Sequence, residues 1–191
     1  MSGRRRRRLL VVSGIATVAL DAAVLLIERR LGSLGGPSIL DLELAGSSAK
    51  VARIASEWGP DGLHYARLQL WIDFAFMLSY GTFFTLAGLT TRDLARAQGR
   101  RWLARTGLVV PFFAAAAAAF DACENVIWLL VLGGHAGSLA PVGSACAALK
   151  FALIGTAIAY AICGLLLWVW SLRTAGSRSA GVSRSRLRPW R

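Results

Sequence analysis

Apolar positions along this chain fall into four long runs, separated by shorter stretches that carry most of the charge. The runs cover about 9–27, 65–89, 107–132 and 142–172. About 20 mainly apolar residues are enough for a helix to cross a bilayer, so each run predicts one spanning helix. The first run follows Arg4–Arg8 and ends at Glu28-Arg29-Arg30. A basic stretch before an apolar one also describes a signal peptide. Asp21, the length of the run and the lack of a small-residue cleavage site predict a retained helix instead. The fourth run is long enough to tilt. It ends on Trp168 and Trp170 just before Arg173, the position of an interfacial aromatic belt.

The segment between the first two runs has a pattern of its own. Gly35-Gly36-Pro37 breaks the chain, and Ser38 followed by Asp41 resembles a helix start. Leu40, Leu44, Val51, Ala55 and Trp58 then recur at helical spacing. Gly46-Ser47-Ser48 interrupts that pattern and Gly59-Pro60 ends it. One or two amphipathic helices over 38–58 are expected to lie on the outer membrane surface. Residues 173–191 are rich in Ser, Arg and Gly and lack apolar periodicity, which predicts a basic, disordered tail.

Composition sharpens this picture. Of 191 residues, 55% are hydrophobic and only 17% charged, and the mean hydropathy is +0.54. Soluble domains carry roughly 25% charged residues, so the fold expected is an all-α, four-helix membrane bundle. Four helices and their loops nearly fill the length, leaving no room for a sizeable soluble domain. The net charge of +12 suggests nucleic acid at first sight. The basic residues cluster at the helix ends, however, where they act as topology signals. Sixteen Lys or Arg lie in the first eight residues, the loop after the second run and the tail, against five in the two opposite loops. That asymmetry predicts a multi-pass protein of the plasma (inner) membrane with both termini cytoplasmic.

Chemistry enters through polar residues inside the apolar runs. An ionisable group at the centre of a spanning helix costs at least about 2.5–3.5 kcal/mol. Asp21, Asp73, Asp121, Glu124 and Lys150 all occupy such positions. Asp73, Glu124 and Lys150 each fall roughly 12 Å below the outer end of their run. Asp121, Glu124 and Asn125 share one helix face, and Tyr80 lies two turns from Asp73 on another. Ser13, Thr17, Asp21 and Glu28 read as a polar stripe on the first helix. The expected site therefore has Asp73 and Glu124 as an acid/base pair, with Lys150 as their charge partner. Asp21, Tyr80, Asp121 and Asn125 orient the groups. Lys150 is expected to pair with Glu124 or Asp73.

Cys123, Cys146 and Cys163 have no Cys-x-x-Cys spacing and read as small buried hydrophobes. His64 and His135 fall in the external segments. Neither a metal-ligand spacing nor a cofactor motif such as a P-loop, dinucleotide fingerprint or His-box occurs.

The segments Leu70-Trp71-Ile72-Asp73-Phe74-Ala75-Phe76 and Phe120-Asp121-Ala122-Cys123-Glu124-Asn125 resemble signatures of small uncharacterised bacterial four-span integral membrane proteins. The resemblance covers the second to fourth runs and implies a fold without an activity. Size and span count also resemble lipoprotein signal peptidase, but the Asn-x-x-Asp-Arg element of that family is missing. The function expected from the residues is binding, or acid/base chemistry, on a lipid or small amphiphile. Two alternatives use the same residues: a proton- or ion-coupled transporter subunit, or an accessory protein whose polar cluster only fixes helix packing. Membrane lipid is the expected partner, a homo-oligomer is a further one, and nucleic acid is not expected.

Overall fold

The computed structural model describes residues 3–185, with side chains described for 3–173. The described residues are helical, with no strand among them. The elements are α1 (Gly3–Ser33), α2 (Ile39–Glu43), α3 (Ser48–Ala97), α4 (Arg101–Thr106), α5 (Pro111–Leu132) and α6 (Ala140–Ser185), with a 3-10 turn at Gly137–Leu139. Four helical segments, within Gly3–Ser33, Ser48–Ala97, Arg101–Leu132 and Gly137–Arg173, are long and apolar enough to cross a membrane.

The long helices run up and down in sequence order. Arg6 Nη1 lies 2.6 Å from Asp93 Oδ2, which places the start of α1 beside the end of α3. At the opposite end Arg67 donates to the Leu132 carbonyl, tying α3 to the last turn of α5. Tyr160 donates to the Leu103 carbonyl at 2.8 Å, bringing the later half of α6 to the same end as α4. The helix α3 is central and packs on α1, α5 and α6. α1 leans on α3 and has no extensive contact with α5 or α6.

The stripe along α5 explains the closest packing. Pro111, Ala114, Ala117, Asp121, Glu124, Asn125, Trp128 and Leu132 are all buried. Small residues let helices approach. A Cβ added at Gly81 would sit 3.0 Å from Ala118 Cβ and 3.5 Å from the Ala114 carbonyl. Gly143 lies equally close to the Trp128 ring.

Residues 35–58 form a cap on one end of the bundle. Ser38 and Asp41 make a reciprocal capping box at the start of α2. Gly46, at φ 68°, breaks the chain before α3. Gly59, at φ 59°, turns α3 sharply, a conformation that favours glycine. Pro60 then restarts the helix where its missing N–H costs nothing. Gly59-Pro60 therefore kinks the helix, where the sequence reading ended it. The cap is packed on the bundle rather than spread away from it. Leu31, Ile39, Leu42, Val51, Ile54 and Trp58 join Leu70, Trp128 and Leu132 in one buried cluster. Trp58 Nε1 donates to the Pro37 carbonyl at 2.6 Å.

Three expectations need correction. Leu40 and Leu44 are about half exposed, while Ile39 and Leu42 face inward. The break at Gly46 resets the helical phase, so the periodicity of Val51 and Trp58 does not extend back into α2. Cys123 and Cys163 lie exposed on helix surfaces and Cys146 is half-buried. Cys123 is two residues from the buried Asp121, hence on the opposite face. The α6 backbone stays helical to Ser185, where a disordered tail was expected. The one proline within α6, Pro141, sits in the first turn, and glycine costs only about 1 kcal/mol in a helix. The rest of that tail, 186–191, lies outside the described residues.

Candidate functional site

The polar residues converge around Lys150, which α6 delivers to the buried face of α5. Lys150 Nζ lies 2.9 Å from Asp121 Oδ1 and 2.8 Å from Glu124 Oε2. Its third partner is Glu43 Oε1, at 3.1 Å. An ammonium has three protons to donate, and here three carboxylates surround it. The Tyr80 hydroxyl donates to Asp121 Oδ2 at 2.8 Å. Trp128 Nε1 donates to Glu124 Oε1 at 3.1 Å. Glu124 is fully buried, and Asp121 and Lys150 nearly so.

Asp73 stands beside this ion cluster rather than in it. Its Oδ2 accepts from Asn125 Nδ2 at 2.7 Å. The same amide nitrogen lies 3.4 Å from the Leu70 carbonyl. Asn125 is fully buried, and its Oδ1 has no hydrogen-bond partner. Gln69 is only 7% exposed, and its Oε1 is likewise unpartnered.

Asp73, Asn125 and Gln69 line a groove of about 310 Å³ together with Glu43, Asp121 and Lys150. Thr17 and Tyr80 add two hydroxyls, and the rest of its wall is apolar, with Val24 on α1, Phe76 and Phe84 on α3, and Phe151, Ile154 and Ile158 on α6. The groove lies where α1 and α6 diverge over α3. Its polar end is bridged by α2. Ile39 N–H donates to Glu28 Oε1 on α1, and Gly46 N–H donates to Ser144 Oγ on α6. Phe84 is eleven residues beyond Asp73, so the apolar part runs about 16 Å along α3. Among the described residues no group of His, Cys, Asp and Glu has the arrangement of a metal site.

No family model matches this chain, and neither a curated protein nor a solved structure is significantly similar to it. The functional reading therefore rests on the site.

The structure gathers most of the expected residues and rearranges their roles. Asp121, Glu124, Asn125, Lys150 and Tyr80 come together, and Asp73 joins them through Asn125. Lys150 pairs with Glu124, while Asp73 is not among its ion pairs. Glu124 lies behind the groove wall and does not line it. Asp21 is a correction, because it is exposed on α1 and has no part in the cluster. Steps of four residues advance about 40° each around a helix, so the stripe begun at Ser13 has turned about 80° by Asp21. Thr17 stays inward and donates to Ser79 Oγ at 3.2 Å.

Glu43 is the member of the ion cluster that the sequence reading missed. Ile39, Leu42 and Glu43 share one face of α2, and that spacing was its only signal. Burial raises the Glu43 carboxyl above its ordinary pKa, with the Lys150 ammonium pulling the other way. At the exposed start of α2, hydrogen bonds from Ser38 hold Asp41 below the usual carboxylate value.

Proposed function

We propose that this chain is a four-span protein of the inner membrane, with both termini cytoplasmic, and that its groove binds a lipid or small amphiphile. The sixteen-to-five basic asymmetry supports the orientation. On that orientation α2 and the polar end of the groove lie toward the outside. The reading of the site rests on one observation: an apolar groove between α1 and α6 ends at Asp73, with Asn125 and Gln69 in its wall, each carrying a buried amide oxygen without a partner. Ligand pockets share this make-up, mostly apolar walls with a few convergent polar groups. α1 and α6 leave the groove open along the bundle flank, where an acyl chain enters directly from the bilayer. Asp73 is the group placed to contact the head of the ligand and to exchange a proton with it. Lys150, Asp121, Glu124 and Glu43 form a buried ion cluster that holds the wall in place.

Photolabelling tests this reading. The protein, in nanodiscs of phosphatidylcholine, is irradiated with a dodecyl alcohol carrying a diazirine near its tail. Adducts are expected on Phe84, Ile154 and Ile158. Ile154→Trp fills the groove and should remove them while preserving the thermal melt. Adducts spread evenly over exposed positions such as Leu25, Leu78 and Leu166, and indifferent to Ile154→Trp, would refute the proposal.

A further inference from the structure

We infer that the ligand of this groove carries a cationic, hydrogen-bond-donating head, a protonated amine on a single-chain amphiphile. The inference rests on the reading that the groove binds an amphiphile, and it follows from counting donors and acceptors on the wall.

The ammonium, hydroxyl and Asn125 donors of the wall are already engaged. Lys150 is enclosed by Glu43, Asp121 and Glu124. The Tyr80 hydroxyl proton goes to Asp121. The one Thr17 hydroxyl proton is shared between the Ser13 carbonyl, at 2.8 Å, and Ser79 Oγ, at 3.2 Å. The Asn125 amide nitrogen faces Asp73 Oδ2 and the Leu70 carbonyl, both acceptors. That arrangement fixes the orientation of the amide and makes Oδ1 an acceptor. An anionic head would find no free cation here.

Acceptors remain. Asn125 Oδ1 and Gln69 Oε1 are buried without partners, and only Oδ2 of Asp73 receives a bond from a described residue. A buried acceptor left without a donor keeps its desolvation penalty, so its natural complement is a ligand that donates. The charges agree. Four carboxyl groups, Glu43, Asp73, Asp121 and Glu124, face Lys150 as their one buried cation among the described residues. A second cation beside Asp73 reduces that excess. A primary ammonium offers three donors to this acceptor-rich wall. Its alkyl chain then lies along Phe76, Phe84, Ile154 and Ile158.

Three dodecyl probes with the same tail diazirine test the inference: an amine, an alcohol and a carboxylic acid. Each is applied at pH 7 in phosphatidylcholine nanodiscs, and labelling at Ile154 and Ile158 is divided by labelling at exposed Leu78. Hydrogen bonds to charged groups are about twice as strong as neutral ones, so the amine should exceed the alcohol by about tenfold and the acid by more. Asp73→Asn should bring amine labelling down to the level of the alcohol. Should Asp73→Asn fail to fold, Gln69→Leu leaves the ion cluster untouched and should lower amine labelling severalfold. Equal groove labelling by all three probes, or preference for the acid, overturns the inference while leaving amphiphile binding in place. Absence of groove labelling with every probe overturns both.

Discussion

Replacing Lys150 by Met removes the charge and keeps much of the side-chain volume. Glu43, Asp121 and Glu124 would then surround an apolar group. Two magnitudes compete. Interhelical polar contacts in membranes average about 0.6 kcal/mol, which puts three of them near 2 kcal/mol. Removing one partner from a buried ion pair costs more, about 3–5 kcal/mol, because the remaining charge stays buried. Glu124 is fully buried and Asp121 3% exposed, so the second figure governs, and a loss of about 3–5 kcal/mol is expected. Adding Glu124→Gln should recover part of it. Adding Glu43→Gln as well should recover more, since only Asp121 then lacks its cation and Tyr80 still donates to it. Reversible unfolding in mixed micelles, followed by near-ultraviolet circular dichroism, measures each step. A loss below about 1 kcal/mol for Lys150→Met, or no recovery in the multiple variants, would refute the reasoning. Recovered variants also separate structure from function. If the cluster serves packing alone, the refolded triple variant should label with the amphiphile probes as the native protein does.

Other predictions concern the scaffold. Reporter fusions after Arg100 and Trp190 should read cytoplasmic and one after Ser48 external; an external tail would contradict the orientation. Gly143→Ala places a Cβ 2.9 Å from the Trp128 ring, and overpacking of this kind should cost about 1–3 kcal/mol in the same unfolding assay. Ser38→Ala removes the cap of α2. It should cost about 1 kcal/mol and speed amide exchange in α2 while leaving α5 unchanged. The lowered pKa of Asp41 means its share of that cap is fully present above the ordinary value of 3.8. That share should vanish only as pH falls through the lower folded value, seen as faster exchange in α2 under acid.

Long apolar runs, helix breakers and the basic segments settle much of this molecule without any contact being known. An apolar run of that length has few stable alternatives to a helix, and the break at Gly46 and the capping box at Ser38 are local features. The Asp121, Glu124 and Asn125 face was equally readable, because residues three and four apart on a helix coincide in direction. Asp21 and Glu43 mark where such reasoning stops. Depth and periodicity placed Asp21 with the other carboxylates, yet the direction of a side chain depends on how its helix is rotated against its neighbours. α1 presents the Ser13 and Leu31 side to α3 and turns Asp21 away. Glu43 looked like one charge on a short external helix. It reaches Lys150 because Leu42, Ile39 and Trp58 pack the cap down onto the bundle. The contact joins residues 107 positions apart. Local sequence rules fix backbone conformation and the relative directions of nearby side chains. Rotation and docking of whole helices come from the packing of all their faces at once, and that packing exchanged Asp21 for Glu43.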